Sequence, residues 1–266
     1  MDKVESQLPV PAGPFRCYWD TCYVLVLKEF HTRYKRTWLG YAWSVLSPLG
    51  LALVFFFLFR IVMRIEMKSY SLFLLAGLFP WHAFQNSLFS GMQSFVGNAV
   101  LIKKSAFPRS ALVVASVATE YLHLFLTIPI LLAFMFYYGQ YPHISMIWTV
   151  PLLMIFAIMT TSGLSLIVAT LNLFFRDLER LLQLFLMFWF YGTPILYRAD
   201  LVPEQYQWTV KANPMAYQVA CWHDIFYFGR PVDMRAMAIT AAISVLILTL
   251  GWLFYRRFRW QLAEVI

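Results

Sequence analysis

The chain has 266 residues; 61% are hydrophobic, 19% aromatic and only 13% charged, with a formal net charge of +8. A soluble domain carries about 25% charge and about 45–50% apolar residues. This composition therefore excludes a soluble enzyme, a disordered chain and a disulfide-stapled secreted fold, and it describes an all-α integral membrane protein. The basic excess is explained by the Lys and Arg that collect at the cytoplasmic flanks of spanning helices, without a nucleic-acid partner.

Taken in chain order, residues 1–14 read as a loose start containing Pro9, Pro11 and Pro14. Cys17 and Cys22 follow; with Cys221 they are too few for a disulfide framework and read as free thiols. Residues 15–43 are amphipathic, with Trp19, Tyr23, Val26, Leu27, Phe30 and Tyr34 set against Lys28, Glu29, Arg33, Lys35 and Arg36. That pattern predicts a helix in the inner headgroup plane, or else a helix packed on cytoplasmic protein. An apolar core of the kind a cleaved signal needs is missing from residues 1–43, so the first span is expected to be an uncleaved anchor.

A spanning helix needs about 20 mainly apolar residues. Six stretches qualify, within a single domain of residues 44–266. They run from Ser44 to Met63, Leu72 to Phe89, Ser110 to Tyr137, Ser145 to Leu171, Leu181 to Tyr197 (short, with Pro194 inside) and Ala236 to Tyr255. Six spans place both termini on one side. That side collects twice as many Lys and Arg as the other, which holds Arg60, Arg64, Lys68, Arg198, Lys211, Arg230 and Arg235. Both termini are therefore expected to be cytoplasmic. Arg60, Arg64 and Lys68 run against this rule at the first span.

Residues 205–230 combine Tyr206, Trp208, Tyr217 and Trp222 with Asn213-Pro214. The segment is too polar to span and too aromatic for a solvated loop. Short re-entrant helices dipping into the outer leaflet reconcile the two.

The parts of a membrane enzyme are missing. The sequence contains no H-E-x-x-H, no Cys/His group at zinc spacing and no G-x-S-x-G. Asp177-Leu178-Glu179, flanked by Arg176 and Arg180, reads as a charged helix end rather than a metal site. Without G-x-x-x-x-G-K-[ST] the chain has no phosphate cradle for ATP. An energised function then needs an ion gradient or a separate ATPase. Glu120, with His123 three residues on, is the one acid well inside an apolar stretch. Such a charge is costly in hydrocarbon unless paired, hydrated or protonated, so it marks a hydrated lumen wall, a proton relay or a structural pair. Phe185, Phe188, Trp189, Phe190 and Tyr191 crowd the fifth span. Ring faces of this kind suit sugar C–H faces, and equally suit lipid.

Several blocks recur together. Arg33-Tyr34-Lys35-Arg36-Thr37-Trp38-Leu39-Gly40-Tyr41-Ala42-Trp43 runs on to Ser47-Pro48-Leu49. Phe79-Pro80-Trp81, Phe107-Pro108-Arg109, Asn172-Leu173-Phe174-Phe175-Arg176-Asp177, Thr193-Pro194-Ile195-Leu196-Tyr197 and Asn213-Pro214-Met215 follow in order. This succession resembles the ABC type-2 permeases, in the branch that exports polysaccharides of the O-antigen, capsule and teichoic-acid kinds. The resemblance implies a homodimer in the bacterial inner membrane, a separate cytoplasmic ATPase bound to each copy and holding the ATP and Mg, and a lipid-linked glycan passing between the two permease chains; it implies no cofactor in this chain. It implies a coupling helix at about 97–109, with Val100, Leu101, Ile102, Phe107 and Pro108 filling the ATPase groove and Lys103 and Lys104 at its rim. Arg33, Lys35 and Arg36 would meet a lipid pyrophosphate at a cytoplasmic gate. Glu120, Phe188, Trp189 and Tyr191 are expected to line the glycan channel, and Tyr206, Trp208, Tyr217 and Trp222 to close the outer gate. A type-2 permease for a small lipid or drug, and a gradient-driven carrier using Glu120 and His123, are the rival readings; an enzyme acting on a lipid-linked glycan is a weaker third.

Overall fold

The computed structural model describes residues 14–34, 42–62, 69–104, 107–175 and 177–261. It is all-helical, with no strand among the described residues. The helices are α1 (Pro14–Tyr34), α2 (Trp43–Phe56, continued by a π-helical turn over Phe57–Val62), α3 (Tyr70–Gly97), α4 (Ala99–Lys104), α5 (Ser110–Tyr137), α6 (Met146–Asn172), α7 (Leu178–Gly192), α8 (Gln207–Lys211), α9 (Pro214–Phe226) and α10 (Met234–Phe258). Among the described residues three of them, α5, α6 and α10, are long and apolar enough to cross a membrane.

α3 is the central helix. It packs on α5, α6, α9 and α2, and its half from Leu72 to Phe84 is almost wholly buried, with Trp81, Phe73 and Phe84 among the largest enclosed side chains. α10 lies along α6, and the approach is set by two glycines. A Cβ at Gly251 would fall inside the van der Waals envelope of the Gly163 carbonyl, and one at Gly163 would collide with the backbone of Ile247 and Leu248. Small residues at such crossings let helix backbones meet directly, the usual means of close packing between helices in lipid. A third close approach joins α3 to α6, where a Cβ on Gly91 would sit 2.7 Å from Ser165 Cβ.

Polar side chains tie the same helices together. The Tyr121 and Thr161 hydroxyls are 2.7 Å apart between α5 and α6. Thr160 on α6 donates to Ser244 Oγ on α10 at 2.9 Å and accepts from Gln218 Nε2 on α9 at 3.1 Å. His223 on α9 stacks on Phe73 with ring centroids 4.0 Å apart, and its Nε2 lies 3.1 Å from the Phe73 carbonyl oxygen.

The amphipathic start is a helix, α1, that packs on α5 through Cys22 and Leu25, both buried. Trp19, Tyr23 and Leu27, spaced by four, point the other way and are exposed. α1 thus has two apolar faces, one for the bundle and one for its surroundings. α7 ends at Gly192, five residues before the expected end of the fifth span. Thr193, ahead of Pro194, adopts an extended conformation (φ −100°, ψ 134°), as the pyrrolidine ring demands of its predecessor.

Two measurements check this packing. Gly251→Leu should cost about 3 kcal/mol or more, because no rotamer moves a backbone carbonyl aside. Gly192→Ala, where a Cβ would meet nothing within 4 Å, should stay within about 0.5 kcal/mol of the parent; thermal unfolding of the detergent-purified chain reads both. Maleimide at neutral pH should modify Cys17, which is exposed, and spare Cys22, which is buried between α1 and α5 and whose thiol burial pushes up. Labelling of Cys22 at the rate of Cys17 would mean that α1 does not rest on α5.

Candidate translocation and coupling surfaces

At the end of the bundle where α3 runs into α4, α1 lies across the connection to α5. An open groove of about 660 Å³ is lined there by Cys17, Asp20, Thr21, Val24 and Leu25 of α1 together with Leu101 and Phe107. A smaller hollow of about 360 Å³ adjoins it between Lys28, Gly97, Asn98, Val100 and Lys104, where Lys28 Nζ donates to Asn98 Oδ1 at 3.2 Å. The seven residues expected to couple to an ATPase fall into three groups. Val100, Lys103, Lys104 and Pro108 are exposed, and Leu101 and Phe107 are half-buried in the groove wall. Ile102 is buried against Leu25 and Phe95 in the protein's own core, so its side chain belongs to the bundle rather than to a docking face.

Of the basic trio expected at a cytoplasmic gate, Arg33 lies on the last turn of α1, and Lys35 and Arg36 fall outside the described residues. Glu120 is 3% exposed on α5, with its carboxylate 3.9 Å from His123 Nδ1. The same face of α5 meets α1. Ser116 donates to the Glu29 carboxylate at 2.8 Å, and the His123 ring lies 5.3 Å from Phe30. Glu120 therefore sits in the α1–α5 packing and not on an open wall of this chain.

At the opposite end, α7 and α9 are joined through Asn213. Its Oδ1 accepts from Met215 N at 3.0 Å, capping α9, and from the Trp189 indole at 2.7 Å. Its Nδ2 donates to Thr193 Oγ1 at 2.9 Å and to the Gly192 carbonyl at 3.3 Å, while Thr193 Oγ1 donates back to the Trp189 carbonyl at 2.7 Å. Pro214, with no N–H to leave unsatisfied, opens the helix at its first turn. The Thr-Pro-Ile and Asn-Pro-Met blocks are thus two halves of one clamp.

That clamp separates the rings of α7. Trp189 is half-buried and packed against Trp81, Phe84 and Phe185. Phe188 and Tyr191 are exposed, at 71% and 59%. Phe185, Phe188 and Trp189 line an open groove of about 690 Å³ with Trp208, Thr209 and Ala212. Of the four rings expected at an outer gate, Tyr206 and Trp208 are exposed, and Tyr217 is half-buried with its hydroxyl donating to the Lys211 carbonyl at 3.0 Å. Trp222 is 1% exposed and stacked on Phe226, a core residue. Just beyond, the buried Asp224 accepts from Arg230 at 2.6 and 2.8 Å; this pair and the Asn213 clamp carried no signal in composition or hydropathy. Removing the clamp should be costly. Asn213→Ala orphans the Trp189 indole and the Met215 amide and is expected to destabilise by about 2–3 kcal/mol. Asn213→Asp, which keeps the shared acceptor, should lose less, and melting temperatures of the three proteins decide the order.

The ABC-2 type transporter family model matches residues 21–227. Relatives align almost end to end. The O-antigen export system permease protein RfbA of Klebsiella pneumoniae is 39% identical over 248 residues, 93% of this chain and 95% of the relative. The protein of the same name from Myxococcus xanthus is 30% identical over 246 residues, 91% and 94% of the two chains. The polysialic acid transport protein KpsM of Escherichia coli is 23% identical over 238 residues, 89% and 92%. With its motifs in order, its helices where they require them and nearly full-length relatives, the chain belongs to the ABC-2 type transporter family.

Proposed function

We propose that the chain is the transmembrane subunit of an ATP-driven exporter that moves a lipid-linked polysaccharide, of the O-antigen or capsule type, from the cytoplasm across the bacterial inner membrane. The observation that carries this reading is the 39% and 30% identity, over nine-tenths of both chains, to proteins named O-antigen export permeases. In this reading six segments cross the membrane, both termini face the cytoplasm and residues 205–230 re-enter from outside. Two copies assemble, each with one cytoplasmic ATPase subunit that binds ATP and Mg. A polymer does not fit inside one bundle of this size, so its path lies between the copies.

The structure supports a division of labour. The exposed Val100, Lys103, Lys104 and Pro108 beside the α1 groove form the docking face for the ATPase, and Leu101 and Phe107 brace it from below. Trp19, Tyr23 and Leu27 suit the headgroup plane, and the motif resemblance assigns Arg33, Lys35 and Arg36 to a lipid pyrophosphate. Phe188, Tyr191 and Trp208 offer ring faces on which sugars stack without a fixed sequence of hydroxyls. The burial of Glu120 and His123 between α1 and α5 favours a structural pair over the relay that a gradient-driven carrier needs. Rigid-body movement driven by the ATPase then opens the path.

Purification of the tagged chain in mild detergent from its host should bring down a stoichiometric ATP-binding subunit. Val100→Asp combined with Lys104→Glu should reduce that recovery at least tenfold while the permease melts normally. Recovery of an active permease with no ATPase would overturn the reading. Phe188→Leu with Tyr191→Leu should slow the appearance of surface glycan several-fold with the ATPase still bound; unchanged export would place those rings against lipid.

A further inference from the structure

The half of α3 that begins the helix, from Leu72 to Trp81, is enclosed on every side, but beyond Trp81 one face opens. At 100° per residue, His82, Gln85, Asn86, Ser90 and Gln93 fall within a sector about 140° wide, and they run about 16 Å along the axis. Asn86 and Gln93 are exposed; His82, Gln85 and Ser90 are partly so. These five uncharged polar side chains form a stripe with one ring, the partly buried Phe89, in the same sector.

The stripe keeps hydrogen-bonding capacity in hand. Gln85 Oε1 accepts from the Trp81 indole at 3.2 Å, leaving its amide N–H groups. Gln93 Nε2 donates to Glu179 Oε2 on α7 at 2.8 Å, leaving its carbonyl. Ser90 donates to the Asn86 backbone carbonyl at 2.8 Å, and the Asn86 side-chain amide has no hydrogen bond among the described residues. His82 Nε2 has no hydrogen-bond partner among the described residues although it is shielded from solvent. Gln183, exposed on α7 one turn beyond Glu179, extends the same surface to the next helix. At the end toward the Asn213 clamp the stripe meets a ring cluster, where Phe84 lies 5.2 Å from Trp189.

Groups of this kind facing hydrocarbon would go unsatisfied, and intramembrane polar residues turn to the bundle interior or to water. Asn86 and Gln93 face outward from this chain, while His82, Gln85 and Ser90 sit at its edge. We propose that the α3 stripe, with Gln183, is the hydrated wall of the export path along which a hydroxyl-rich chain slides, each amide acting as donor and acceptor for successive sugar hydroxyls. The inference rests on the exporter reading and adds to it where the chain touches the glycan. Amides and hydroxyls match neutral sugar hydroxyls in both senses of the hydrogen bond, whereas a row of charges would hold ions and stall a moving polymer. Hydropathy obscured the stripe because the second span was expected to end at Phe89, before Gln93.

The test uses the assembled transporter in inside-out membrane vesicles, in a Cys17→Ser background in which Cys22 and Cys221 are buried. A charged, membrane-impermeant methanethiosulfonate should modify Asn86→Cys, Ser90→Cys and Gln93→Cys at least tenfold faster than Leu246→Cys, on the exposed apolar side of α10. The double variant Asn86→Leu, Gln93→Leu should export at least tenfold more slowly with its ATPase still bound, and Asn86→Gln alone should keep most of the rate. Three results would sink the proposal. Labelling no faster than at Leu246→Cys would put the stripe against lipid. Complete cross-linking of two Asn86→Cys copies without labelling would bury it against the second copy. Full export by the Leu variant would route the glycan elsewhere. A parent chain that binds no ATPase would instead remove the exporter reading itself.

Discussion

Lipid tails give neighbouring helices no hydrophobic reason to associate, so a bundle in a membrane is held by backbone proximity and by hydrogen bonds between helices. In this chain the two act in series. The contact of Gly163 with Gly251 sets α10 directly on α6. Only at that distance does Thr160 reach Ser244, and the same hydroxyl accepts Gln218 from α9. With α9 fixed, His223 meets Phe73 on α3 and Asn213 meets the end of α7. The glycine pair thus sets one side of the frame that holds the aromatic segment 205–230, and direct packing of α9 on α3 sets the other.

This chain of contacts divides the molecule into a stiff body and two working ends. The body is α3 with α5, α6, α9 and α10, closed by direct polar ties. At one end α1 and α4 leave a groove and an exposed apolar and basic edge, suited to receiving a push. At the other, the Asn213 clamp fixes Trp189 and leaves Phe188 and Tyr191 outside it. The proposed rigid-body gating between two copies needs such a body between its two ends, because movement at one end is then not absorbed in the middle.

Much of this was legible in the sequence, and the failures have physical causes. The third span, expected at Ser110–Tyr137, is α5 to the residue, and the fourth and sixth differ from α6 and α10 by one to three residues at each end. Those stretches are uniformly apolar, so length and composition suffice. The second apolar stretch stops at Phe89, eight residues before the end of α3, because Ser90, Gln93 and Ser94 lower the hydropathy of a helix that continues to Gly97. The fifth stretch runs on to Tyr197, past the end of α7 at Gly192, because Ile195, Leu196 and Tyr197 extend the apolar run beyond Pro194. The motif blocks were found as a pattern, yet their reason, Asn213 joining two of them, lies in a contact between residues twenty apart. The family resemblance puts Trp222 at an outer gate and Ile102 on a docking face. Both are core residues, since an aromatic or aliphatic side chain does not reveal from sequence which side of a short helix it occupies.

The direct measurement is ATP-dependent passage of a lipid-linked glycan across proteoliposomes containing this chain and the ATPase that purifies with it. The prediction is a protected, lumenal glycan that accumulates only with hydrolysable ATP and stops with a catalytically dead ATPase. Accumulation driven by a proton gradient without ATPase, or ATP hydrolysis that moves a small lipid and never the glycan, would contradict it.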